Sequence, residues 1–135
     1  MKKKILSLMV GGLILTGMST VSNAAPAIDD YFEIYNISKT GYTGYLTKQK
    51  TGSNAVCNNS TMSGINYHTA QLVNSENKYR SSVETVSKGE RQVLNVGVYD
   101  GTKAQAGYKY KQRHVVPSLG SKASGTFSVD DKNDF

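Results

Sequence analysis

The stretch "AGYKYKQRHVV", residues 106–116, decides how the chain is read. Side chains of an extended strand alternate between two faces. Here alternation puts Ala106, Tyr108, Tyr110, Gln112, His114 and Val116 on one side. Gly107, Lys109, Lys111, Arg113 and Val115 fall on the other. One face is aromatic and apolar, the other cationic, which is the signature of a half-buried strand. The expectation is that Tyr108 and Tyr110 pack inside and that Lys109, Lys111 and Arg113 form one wet row.

The same reading extends outward. Upstream, "RQVLNVGVYD" (91–100) places Leu94, Val96 and Val98 on a shared face. Asp100-Gly101 then gives a hairpin signal joining it to the opening stretch. Downstream, Pro117 ends the strand and "SGTFSV" (124–129) reads as the last one. Towards the N-terminus, "YFEIYNI" (31–37), "GYTGYLTKQ" (41–49), "SNAVCNN" (53–59), "GINYHTAQLV" (64–73) and "KYRSSVETVS" (78–87) are bounded by Gly, Asn and Lys-Gly turns. No segment in this region has the apolar spacing of a helix. Seven or eight short strands imply an all-β fold, either a two-layer antiparallel β-sandwich or a flattened barrel. Large aliphatics are few, and nine tyrosines and three phenylalanines partly replace them.

The chain opens with Lys2, Lys3 and Lys4, an apolar run from Ile5 to about Thr16, and Ser22-Asn23-Ala24. This is the pattern of a secretory signal peptide, with cleavage expected after Ala24. The apolar run is too short for a spanning helix, and no membrane anchor is expected after cleavage. The mature chain, 25–135, would be one domain of 135 − 24 = 111 residues. Its charge is 13 Lys/Arg against 10 Asp/Glu, or +3, once the three leader lysines are removed from the 16. Between Lys39 and Lys122 twelve cations face four acids, while both ends are acidic. That distribution suggests attraction to anionic polymers. Intracellular nucleic acid is not an expected partner of an exported protein.

A resemblance rests on three segments in order: "KTGSNAVCN" (50–58), "KGERQVLNVGVYDGTKAQAGYK" (88–109) and "SGTFSVDD" (124–131). Together they resemble a group of small signal-bearing proteins of Gram-positive bacteria. Those have a Lys-Thr segment before a short strand, a Gly-led strand ending in an acidic-Gly turn, and a closing Gly-x-Trp-Ser-Pro-Asp-like motif. Gly125 to Asp130 stand in that closing position, with Phe127 for Trp and Val129 for Pro. The resemblance implies a secreted all-β protein and transfers no active site.

Candidates for chemistry are few. The single Cys57 excludes an internal disulfide. Cys57, His68 and His114 are the only residues that could supply a thiol nucleophile and its base. No Gly-rich elbow surrounds Cys57, so it is expected as a small buried or half-buried strand residue. One cysteine and two isolated histidines do not form the compact groups of a zinc site. Asp130, Asp131, Asn133 and Asp134 offer hard oxygen ligands but lack the calcium-loop spacing. They read as an acidic flexible end. No metal, cofactor or enzymatic activity is therefore expected.

The function expected is a secreted, non-enzymatic binding role at or outside the bacterial envelope. A cell-wall anionic polymer or a surface protein would be the partner, held by Lys109, Lys111 and Arg113. The same row also suits protection of a sheet edge. The alternative is an exported, bacteriocin-like antagonist; a small hydrolase or inhibitor has less support.

Overall fold

The structure is a computed structural model that describes residues 30–35, 40–118 and 120–135. The expected leader, 1–24, and its expected cleavage point after Ala24 lie outside the described residues. Nine strands follow in chain order: β1 (Asp30–Tyr35), β2 (Thr40–Tyr42), β3 (Leu46–Thr47), β4 (Ala55–Ser63), β5 (Tyr67–Asn74), β6 (Glu84–Ser87), β7 (Arg91–Leu94), β8 (Lys109–Val115) and β9 (Lys122–Ser128). They form two antiparallel sheets packed as a β-sandwich. The first has the order β1-β9-β4-β7; the second has the order β2-β8-β5-β6, with β3 also paired to β8. No helix among the described residues is long and apolar enough to cross a membrane.

Alternation explains which side of each strand turns inward. In β8, Tyr110, Gln112 and His114 are buried while Lys109, Lys111 and Arg113 point outward. In β5 the inward set is His68, Ala70 and Leu72. Facing them from the first sheet are Phe32 and Ile34 of β1, Ala55 and Cys57 of β4, Leu94 of β7 and Phe127 of β9. Gly125 of β9 is dictated by close approach. A Cβ there would lie 1.9 Å from the Asn58 carbonyl oxygen, beside the bulge of β4 between Asn59 and Thr61.

Four expectations need correction. The stretch 91–100 is not the hairpin partner of 106–116. β7 ends at Leu94 and pairs with β4 in the first sheet, whereas β8 belongs to the second. Gly97 takes a positive φ of 88°, and Val98 and Tyr99 beyond it are exposed, so no strand runs on to Asp100. Asp100 Oδ1 accepts from the Thr102 amide (2.9 Å), closing a local turn within a crossover between the sheets.

Tyr108, expected inside, is 62% exposed. Gly107, with φ 89°, turns the chain just before β8 begins, so alternation does not reach back to Tyr108. The cationic row does not protect an edge either. β8 is a central strand, with β2 and β3 on one side and β5 on the other.

The acidic C-terminus, expected to be flexible, is docked. Asp130 and Asp131 are buried. Asp130 Oδ1 takes an ion pair from Lys48 Nζ at 3.1 Å, and Lys48 is itself buried. The same carboxylate accepts from the Gln49 amide (2.7 Å), the Lys50 amide (3.3 Å) and the Ser53 hydroxyl. Lys48 Nζ also donates to the Val129 carbonyl and to Ser53 Oγ. Arg91 pairs with Asp131 at 2.6 Å, and the Asn54 amide donates to Asp134 Oδ2 at 2.6 Å. Burial draws the Lys48 ammonium below its ordinary value, against the opposing pull of Asp130.

Breaking a buried pair leaves an uncompensated charge. Lys48→Met is therefore expected to destabilise the domain by about 3 kcal/mol, towards the lower end for buried pairs because Asp130 keeps three other donors. Urea unfolding measures this. A change within about 0.5 kcal/mol, as for an ordinary surface site, would show that the pair is not formed.

Candidate functional site

The outward face of the second sheet gathers the cations with aromatic rings from neighbouring segments. Lys111 Nζ lies 4.3 Å from the Tyr42 ring centroid and 5.1 Å from that of Tyr45. The Arg113 guanidinium lies 5.7 Å from the Tyr79 ring, and Tyr79 meets Tyr99 edge to face at 5.1 Å. Backbone pairing sets these contacts. Tyr42 of β2 is registered with Arg113, and Leu46 of β3 with Tyr110. The intervening Thr43 closes the gap by exchanging bonds with Gln112. On β5's other flank, Tyr79 bridges to Val73, which is itself paired with Lys111.

Alternation within β8 does separate its own tyrosine from its cations. It says nothing of rings on adjacent strands, so Tyr42, Tyr45 and Tyr79 escaped the sequence reading. Their only signal was the abundance of tyrosine.

At its β8 start the row runs into an open groove of about 570 Å³. Arg80, Lys103 and Lys109 line it together with Glu76 and the exposed Tyr108. The three sequence-expected residues thus lie on one face. Lys109 is at the groove, and Lys111 and Arg113 are half-buried under tyrosines.

The second constellation lies inside. Cys57 on β4, His68 on β5 and His114 on β8 are fully buried, and one ligating atom from each lies within 4.8 Å of the others. Strands distant in sequence therefore assemble a group that spacing along the chain did not suggest. Phe32 stacks on His114 at 4.4 Å. Asn59 Nδ2 lies 3.4 Å from His68 Nε2, and the two Nδ1 atoms are 3.2 Å apart. With Asn59 donating, neutral His68 carries its proton on Nδ1 and shares it between His114 Nδ1 at 3.2 Å and the Thr69 carbonyl at 3.4 Å. The proton of His114 then sits on Nε2, a buried atom without a partner, as is Asn59 Oδ1. Each such orphan costs roughly 1–3 kcal/mol.

These environments oppose nucleophilic catalysis. Burial pushes the Cys57 thiol up to about 12, whereas a reactive cysteine has a depressed value beside a cation. His114 is held well below the ordinary imidazole value, by burial first and by His68 second. His68 is lowered by burial, against its bond to the Thr69 carbonyl. All three groups are neutral and enclosed.

What the fold and these two constellations define is a β-sandwich with an aromatic-cationic outer face and a polar cluster between its sheets. No family model, no curated protein and no solved structure matches the chain.

The interior cluster sets a pH window. Below about the ordinary histidine value of 6.5 the unfolded chain takes up protons that folded His68 and His114 refuse. Their stabilising contribution is thus complete above that pH and drains away as pH falls. Cys57 works on the other side. The unfolded thiol ionises near 9.0 and the folded one near 12, so its contribution is lost as pH rises between them. Urea midpoints are expected to peak between these limits, and Cys57→Ala should flatten only the alkaline side. Stability that rises steadily from neutral pH towards pH 5 would contradict the cluster's neutrality.

Proposed function

We propose that this protein is a non-enzymatic binding domain, exported to act at or outside the cell envelope, that holds an anionic polymer on its tyrosine-cation face. The observation that carries the reading is the position of Lys111 over both Tyr42 and Tyr45, in a row that Lys109 continues into a groove lined by Arg80 and Lys103. Cations supply charge-assisted bonds to phosphate or carboxylate groups. Tyrosine rings supply flat apolar area with a polar tip, suited to sugar or polyol backbones. A β-strand spaces alternate side chains roughly 6–7 Å apart, so the row offers a repeating set of charges to a repeating polymer. The Lys-rich leader pattern supports export, and the burial of Cys57 and both histidines supports a role without catalysis.

A teichoic-acid column tests this. Exposed ion pairs contribute roughly 0.5 kcal/mol each, so the combined Lys109→Gln, Lys111→Gln and Arg113→Gln variant should bind about tenfold more weakly. It should also depend less on salt, because screening acts on exposed charge. Tyr42→Ala with Tyr45→Ala should weaken binding without removing the salt dependence. Retention unchanged in both variants would overturn the assignment of this face.

A further inference from the structure

We propose that Cys57, His68 and His114 form a buried copper(I) site that staples the two sheets together. The donor set points to the class of ion. One sulfur and two imidazole nitrogens lie within 4.8 Å of one another, with no carboxylate in the group. Oxygen-seeking calcium and magnesium find no carboxylate there among the described residues. Thiolate and imidazole suit copper and zinc. Charge and coordination number separate those two. A monovalent ion with one thiolate leaves a neutral site, whereas a divalent ion leaves a positive charge in an interior that shields it poorly. Zinc also takes four ligands, and this cluster supplies three.

The two imidazoles are already close to the spacing that a shared ion needs. The two Nδ1 atoms are 3.2 Å apart, the separation that two metal–imidazole bonds of about 2.0 Å span at an angle of roughly 105°. Ligation through both Nδ1 atoms moves the His68 proton to Nε2. Asn59 then turns its amide over, giving up its 3.3 Å bond to the Thr61 carbonyl, so that Oδ1, without a partner among the described residues, accepts that proton. This is the outer bond that orients a ligating histidine. Phe32, stacked on His114, closes the site to water.

Cys57 comes from the first sheet, and His68 and His114 come from the second. One ion thus bonds across the interface and enters as the sheets close during folding. In the binding step the Cys57 S–H bond breaks, a sulfur–copper bond forms and the proton leaves to solvent. Copper stays monovalent and nothing is oxidised.

The test is anaerobic refolding of the protein from denaturant with copper(I) held by a competing chelator, with zinc(II), or with no metal. The expected result is one copper per chain after desalting, an ultraviolet thiolate-to-copper band and a raised thermal midpoint. Cys57→Ala should retain less than a tenth of that copper. Cys57 is the chain's one cysteine, so the wild-type band identifies the ligand even if the variant does not fold. Wild type without retained copper, copper held equally by Cys57→Ala, or zinc retained in preference would each overturn the proposal.

Discussion

The buried pair of Lys48 and Asp130 is the interaction on which the rest of the sandwich depends. Lys48 follows β3 in one sheet, and Asp130 follows β9 in the other. Taking two charges out of water is costly, and their mutual attraction offsets that only when every remaining donor and acceptor is engaged. That condition is met. The ammonium has three acceptors, and the carboxylate also collects two backbone amides and a hydroxyl. The crossing chain from Lys48 to Asn54 takes its shape from the carboxylates of Asp130 and Asp134.

The rest of the interface continues this use of polar groups in place of bulk. Gln112 Nε2, on β8, reaches the Val56 and Ser128 carbonyls of the opposite sheet at 2.8 and 3.3 Å. The Cys57–His68–His114 group fills the space between β4, β5 and β8. With Phe32, Phe127, Tyr110, Ile34, Leu72 and Leu94 as the largest side chains of the core cluster, dispersion is supplemented by directed bonds across the sheets. Such bonds fix register as well as adding stability, because a one-residue slip turns every inward group outward. The outer face is free of these duties, and its cations lie against tyrosine rings instead.

Local pattern reached some of this and missed the rest for definite reasons. Alternation in 106–116 correctly sent Tyr110 inward and Lys109, Lys111 and Arg113 outward, because the rule needs only the strand itself. It failed at Tyr108, one residue before the strand, because Gly107 turns the chain just ahead of it. The sandwich class followed from strand count and turn signals. The pairing of β7 with β4 did not, since Asp100-Gly101 looks the same in a crossover as in a hairpin. The C-terminal acids read as a tail because the cation that buries Asp130 lies 82 residues away. Likewise, nothing local shows that Cys57, His68 and His114 meet, or that Tyr42, Tyr45 and Tyr79 sit beside cations of another strand.

The docked C-terminus is tested most directly by amide hydrogen exchange at Gln49 and Asn54. Both lie in the crossing loop between β3 and β4, and their amides donate only to the carboxylates of Asp130 and Asp134 among the contacts described above. If Lys48 and Asp130 lock the sheets, both amides exchange as slowly as those of the central strands β8 and β9, through global opening. Exchange at the rate of an unstructured peptide at both positions would contradict the account.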